Sequence, residues 1–248
     1  LLDLSEQVAW IADTGFDAIS FHASAGTPGK WRGIDPAQCA PAERERWCRR
    51  LASFRSREIH APFAATMEGT DCTAALATLA ETLAFARDVG AEIVTVHGEV
   101  PRDAAALPSW REAVRQLAAE AGRNGVTVGL ELTGGFAEVL ALAEPRLGIT
   151  LDVGHMYHWN AAPLAPFGGD LAAVVRMLGE ALVHLHLHDV VGDTDHVAPG
   201  TGRVDWGGLF AALREIGYRG TLCLELNPDR VSPQGIARSR AWVAERLP

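Results

Sequence analysis

The sequence predicts an α/β fold, a (β/α)₈ barrel, and three observations carry that expectation. The 248 residues sit close to the roughly 250 typical of one such barrel. An amphipathic helix, a glycine and a short apolar strand recur along the chain, the rhythm of a parallel sheet with right-handed crossovers. The strands end in Asp, Glu or His, which suits a barrel whose chemistry lies at the C-terminal mouth of its strands. A single domain spanning residues 1–248 is expected. A doubly wound sheet is the rival, but no glycine-rich phosphate fingerprint follows any strand.

The elements follow in order. The chain opens inside a helix, Leu4 to Thr14, and a strand near 17–21 succeeds it. Residues 23–40, rich in Gly and Pro and containing Trp31, read as a loop over the strand ends, and a strand follows at 57–60. The spacing of Leu76, Leu79, Leu83 and Ala86 predicts a helix over 73–89 stopped by Gly90, before a strand at 92–97. Val114, Leu117, Ala118 and Ala121 do the same for 109–123, stopped by Gly125 before the strand 126–131. Further strands fall near 147–152, 182–188 and 221–226. Asp170, Asp205 and Ser232, the last followed by Pro233, have the character of helix N-caps. Residues 189–204, with His196 and Pro199-Gly200-Thr201-Gly202, form a second loop. Seven strands are thereby expected within the chain, and the first strand of a closed eight-stranded barrel is expected to precede Leu1.

Composition excludes several classes. Twenty-two basic against 31 acidic residues leave a net charge of −9, and Lys30 is the lone lysine. Such a surface repels phosphate backbones, so no nucleic-acid partner is expected. No apolar run approaches the roughly 18 residues of a membrane span. The four cysteines, Cys39, Cys48, Cys72 and Cys223, form no CxxC pair, which points to a reduced, cytoplasmic setting.

Side chains alternate along a strand, so residues two apart share a face. With Val183, Leu185 and Leu187 packing outward on helices, His184, His186 and His188 face the barrel interior. Glu131 shares its face with Gly129, Asp152 with Thr150, Glu225 with Cys223 and His97 with Thr95, each against outward aliphatic neighbours. Carboxylates and imidazoles converging from separate strands would repel or lack partners without a cation. Mixed oxygen and imidazole donors suit one divalent ion, Mn²⁺, Co²⁺ or Zn²⁺, and no organic cofactor is indicated. His184 sits a layer down, as a packed core histidine does, and His188 with Asp189 suits the orienting of ligands. His22 and Trp31 lie where a substrate would pass. Arg203 has the alternatives of gripping an anion or lying on the surface.

Taken together, "HAPF" at 60–63, "VTVHGE" at 94–99, "GLEL" at 129–132, "LDVGH" at 151–155, "HLHD" at 186–189, "PGTGRVDW" at 199–206 and "LELNP" at 224–228 resemble the xylose-isomerase-like TIM-barrel superfamily of ketose 3-epimerases, hydroxypyruvate isomerases, inosose dehydratases and zinc-dependent apurinic endonucleases. The resemblance runs from about residue 4 to the C-terminus. It implies Glu131, Asp152, His186 and Glu225 as ligands of a shared metal. It also implies Glu131 and Glu225 as the catalytic pair that shuttles a proton through an enediolate. His60, His97, His155 and His196 become contacts to substrate or to a further metal. The function so implied is a metal-dependent isomerase or epimerase of a small ketose or hydroxycarbonyl, with a sugar as its partner and a homodimer as its assembly. A dehydratase on the same scaffold and a trinuclear zinc phosphodiesterase are the alternatives. Against the latter, Thr194 stands where that pattern's Asp-x-His has its aspartate, and Asp193 and Asp195 are out of register.

Overall fold

The structure, a computed structural model, describes residues 3–27, 31–69 and 72–247, so Lys30 lies outside the described residues. It divides into two compact units, residues 1–148 and 149–248.

The first unit begins with α1 (Leu4–Asp13), closed by a reciprocal cap in which Asp3 accepts from the Glu6 N–H and Glu6 accepts from the Asp3 N–H. Then come β1 (Ala18–His22), α2 (Pro41–Leu51), β2 (Ser56–His60), α3 (Thr73–Val89), β3 (Ile93–His97), α4 (Leu107–Asn124), β4 (Thr127–Glu131) and α5 (Phe136–Leu140). The strands pair in parallel in the order β1-β2-β3-β4. Helices α3 and α4 stop where the glycines predict: Gly90 and Gly125 take φ +75° and +69° and donate back to the last turn. The outward residues Val94, Val96, Val128 and Leu130 are buried together with Leu79, Leu83, Phe85, Val114 and Leu117 of α3 and α4. Apolar burial of this extent is the main favourable term in folding.

In the second unit, β5 (Leu147–Asp152, its first two residues belonging to the first unit), β6 (Leu182–Leu187) and β7 (Thr221–Leu224) also run parallel. Their register stacks two levels: Thr150, His184 and Thr221 below, Asp152, His186 and Cys223 above. Helices α6 (Leu171–Leu178), α7 (Trp206–Glu215) and α8 (Pro233–Ala244) begin at Asp170, Asp205 and Ser232, each accepting from a first-turn N–H. Among the described residues no helix is long and apolar enough to cross a membrane.

Two expected loops carry structure of their own. Within 23–40, Gly26–Thr27 pairs antiparallel with Trp31–Arg32, and Pro36–Gln38 makes a 3₁₀ turn. Within 189–204, Asp189–Val191 pairs with Thr194–Val197, with a register shift between Thr194 and Val197. Strands of two to four residues have too few positions to display alternation, so they leave no periodic trace.

Candidate functional site

In the first unit the ends of β2, β3 and β4 bring His60, His97 and Glu131 together. Strand register sets His97 beside Glu131 on neighbouring strands. The Nε2 atoms of His60 and His97 lie 3.7 and 3.5 Å from the same Glu131 oxygen, Oε2. His60 and Glu131 are buried, while His97 is partly open. His22, Trp31 and Phe63 complete a ring-lined wall. The His22 ring lies 4.7 Å from Trp31, 4.8 Å from Phe63 and 4.6 Å from His60, and Phe63 lies 5.5 Å from His97. Phe63 is 48 % exposed. The segment after β2 is pinned to β3, because Met67 donates to the His97 carbonyl and the buried Trp110 indole donates to the Met67 carbonyl. One level below His60 on the same strand, Glu58 is a buried acid that accepts from the Ser20 hydroxyl.

The second unit holds the larger set. Asp152 ends β5 and accepts from the His155 N–H at 2.8 Å, has His155 Nδ1 at 3.2 Å, and accepts from His188 Nε2 at 2.9 Å. Burial pulls the His188 imidazole down, but the adjacent Asp152 charge outweighs it and holds the ring above its ordinary pKa. His186 Nδ1 lies 3.0 Å from Glu225 Oε2. Glu225 is carried just past β7 by a bond from its N–H to the Leu187 carbonyl. His196 stacks on His188, ring centres 4.0 Å apart and 12° from parallel. His184 is fully buried with its ring edge-on to His186 at 5.2 Å, consistent with a core role.

Asp189 orients a loop. Its carboxylate accepts from the N–H groups of Val190, Gly200 and Val204 and from the Trp206 indole, so it shapes the 198–206 segment. Arg203 ties that segment to Tyr157, donating to its carbonyl. Sequence reasoning overlooked His158 and Arg230 and set Asp195 aside as out of register. Asp195 accepts from His158 Nε2 at 2.8 Å, faces His196 Nδ1 at 3.1 Å and pairs with Arg230. Burial alone would raise the Asp195 pKa, yet those donors and their charge hold it well below the usual carboxylate range. Only the three-residue spacing of His155 and His158, one helical turn, hinted at any of them.

The donor chemistry fits a divalent cation. Two ligands of one tetrahedral ion, each bound at about 2.0–2.2 Å, sit roughly 3.3–3.6 Å apart. His186 and Glu225 at 3.0 Å, and His60 and His97 at 3.7 and 3.5 Å from Glu131, fall near that spacing. The donor atoms of Asp152 and His186 lie within 4.8 Å of one another. The mixture of carboxylate oxygen and imidazole nitrogen, without thiolate, suits Mn²⁺, Co²⁺ or Zn²⁺.

Comparison with known proteins places the chain in a family. A ketose 3-epimerase of Arthrobacter globiformis is 31% identical over 150 residues, covering 56% of this chain and 48% of that protein. An L-ribulose 3-epimerase of Mesorhizobium japonicum is 24% identical over 174 residues, covering 66% and 57%. The chain thus spans about half the length of these relatives. The solved structure of D-psicose 3-epimerase with D-tagatose from Clostridium cellulolyticum H10 superposes with a TM-score of 0.75 at 16% identity, over 100% of this chain and 94% of that one. That likeness supports the fold. Residues 8–246 match the family model described as xylose isomerase-like TIM barrel. On that match, which runs through both units and every strand described above, the chain belongs to the xylose isomerase-like TIM barrel family.

Proposed function

We propose that this protein is a divalent-metal-dependent epimerase or isomerase of a small ketose or related hydroxycarbonyl. Glu131, Asp152, His186 and Glu225 would hold one metal ion, with Glu131 and Glu225 moving the proton. The observation that carries the proposal is His186 at the end of β6, with Glu225 Oε2 3.0 Å from its ring and a donor atom of Asp152 within 4.8 Å of it, oxygen donors on either side of a nitrogen donor. Glu131 ends its own strand in the same manner. The relatives named for ketose and L-ribulose 3-epimerisation support the substrate class.

When bound, the metal supplies a Lewis acid that polarises the substrate carbonyl. One glutamate removes the proton from the carbon beside the carbonyl and the other returns it from the opposite face. His188 Nε2 and the His155 N–H orient the Asp152 carboxylate through two bonds. The wall of His22, Trp31 and Phe63 offers ring faces to the apolar side of a sugar.

The test is exchange of a carbon-bound substrate proton with D₂O across a panel of ketoses. Wild-type protein is expected to exchange, and Glu131→Gln to lower the rate by about 10²–10⁴-fold, the usual worth of a positioned acid or base. Absence of exchange with every ketose would defeat the proposal. One observation favours a second reading, a zinc phosphodiesterase: His60 and His97 share Glu131 Oε2 in a manner suited to a further ion. That reading requires nicking of abasic duplex DNA and close to three zinc ions per chain. The net charge of −9 opposes it.

A further inference from the structure

The motif at 199–206 is a tightly bonded loop that sends two bonds to Tyr157. Asp189 fixes the shape of the loop by accepting from the N–H groups of Gly200 and Val204 and from the Trp206 indole. Gly202 passes so close that a Cβ there would run into the Asp189 carboxylate and the Val190 carbonyl. The Arg203 N–H donates to that carbonyl at 3.2 Å, which gives its side chain a fixed base. The Arg203 guanidinium then donates to the Tyr157 carbonyl. Two residues on, the Asp205 N–H donates to the Tyr157 hydroxyl at 3.0 Å, while the Asp205 carboxylate caps α7 through the Gly208 N–H. Tyr157 is thus gripped at its backbone and at its ring tip by residues two apart in one loop.

Tyr157 in turn closes a short turn that follows directly on Asp152. Its N–H donates to the Gly154 carbonyl at 2.9 Å, and Met156 and Tyr157 are both buried. The turn is entered from Val153, whose N–H donates to the His186 carbonyl at 3.0 Å. Inside the turn the His155 N–H donates to Asp152 Oδ1 at 2.8 Å. Such a bond weakens steeply as its angle departs from linear. Where the turn stands therefore decides where the Asp152 carboxylate points. Carboxylates that bind a metal depend on partners of this kind to orient them.

We propose that Arg203 and Tyr157 are positioning residues: by pinning the turn 154–157 they hold the His155 N–H on Asp152 and fix the aim of that carboxylate. The motif Pro199-Gly200-Thr201-Gly202-Arg203 then serves the centre through the backbone of a neighbouring turn. The consequence for metal binding rests on the proposed metal centre, whereas the pinning of His155 does not.

The experiment compares wild type with the double variant Tyr157→Phe/Arg203→Met, which deletes both grips yet keeps the ring and the aliphatic stem. Ser232→Ala removes the cap of α8 in the same unit and is the control for lost stability, with a Tm lower by about 2–4 °C. Amide hydrogen exchange of the metal-free protein is read by ¹H–¹⁵N NMR, with the buried Leu185 of β6 as internal reference. Relative to that reference, His155 is expected to exchange about tenfold faster in the double variant and at the wild-type rate in Ser232→Ala. Calorimetric titration is expected to show Mn²⁺ bound about tenfold more weakly by the double variant, the lower end of what loss of an orienting partner costs. Ser232→Ala keeps the wild-type affinity. A wild-type exchange rate at His155 in the double variant, an unchanged Mn²⁺ affinity, or an equal loss of affinity in Ser232→Ala each overturns the proposal. Should the double variant fail to fold, Tyr157→Phe, short of a single oxygen, is judged in the same way with effects of about threefold. Wild-type protein that binds none of Mn²⁺, Co²⁺ and Zn²⁺ defeats the metal centre of the proposed function, and exchange at His155 then judges the pinning by itself.

Discussion

Two acids a short distance along the chain, Asp152 and Asp189, are both fully buried, and their partners separate their roles. Asp189 has four N–H donors at 2.8–3.1 Å from the loop it shapes. Asp189→Asn would turn an amide hydrogen pair toward those donors, losing some bonds and leaving buried groups unsatisfied. A loss of about 3 kcal/mol is expected. Thermal unfolding followed by circular dichroism should then show a Tm lower by about 6–12 °C. Asp152 instead meets two imidazoles, and the room for one of them is made by Gly154: a Cβ there would lie 2.0 Å from the His188 ring. Gly154→Ala must push that ring off Asp152. Overpacking of this kind costs about 1–3 kcal/mol, and loss of the orienting imidazole should weaken metal binding by about 10–100-fold. Calorimetric titration with Mn²⁺ reads the second effect, and unchanged affinity would count against His188 as the group that orients Asp152.

At the scale of elements, what was legible in the sequence is what repeats. Helices α3 and α4 bury four of every eleven or so residues on one face, and Leu79, Leu83, Val114 and Leu117 declare that period. Their ends are declared by glycine. Gly125 adopts φ +69°, with nothing within 4 Å of where a Cβ would stand. Gly125→Ala therefore isolates backbone strain, with an expected loss of about 1 kcal/mol and a Tm fall of about 2–4 °C. Strand parity was legible for the same reason, and it oriented Glu131, Asp152 and His186 from aliphatic neighbours alone. What escaped was aperiodic. Asp195 reaches His158 and His196 through a ribbon whose register shifts between Thr194 and Val197, and no spacing rule anticipates a shifted ribbon. Phe63 was visible within a motif, but its position among His22, His60 and His97 depends on the fold of the segment pinned to β3.

At the scale of the whole molecule, the proposed centre couples chemistry to stability. Buried carboxylates such as Glu131 and Asp152 disfavour the native state unless a positive charge answers them. A metal that binds only the folded chain stabilises it by about 2.7 kcal/mol at a hundred times its Kd. For a chain of this size that corresponds to a Tm rise of roughly 5–11 °C. Treatment with a chelator should therefore lower Tm by that order and abolish proton exchange together, and Mn²⁺, Co²⁺ or Zn²⁺ should restore both. The same increment tests whether one ion is shared. Glu131→Gln and Asp152→Asn should each shrink the metal-dependent rise in Tm, because each removes an anionic donor from the proposed centre. An increment that vanished in Asp152→Asn but survived intact in Glu131→Gln would separate the two carboxylates. Glu131 would then belong to the His60–His97 set, which is the arrangement the phosphodiesterase reading requires.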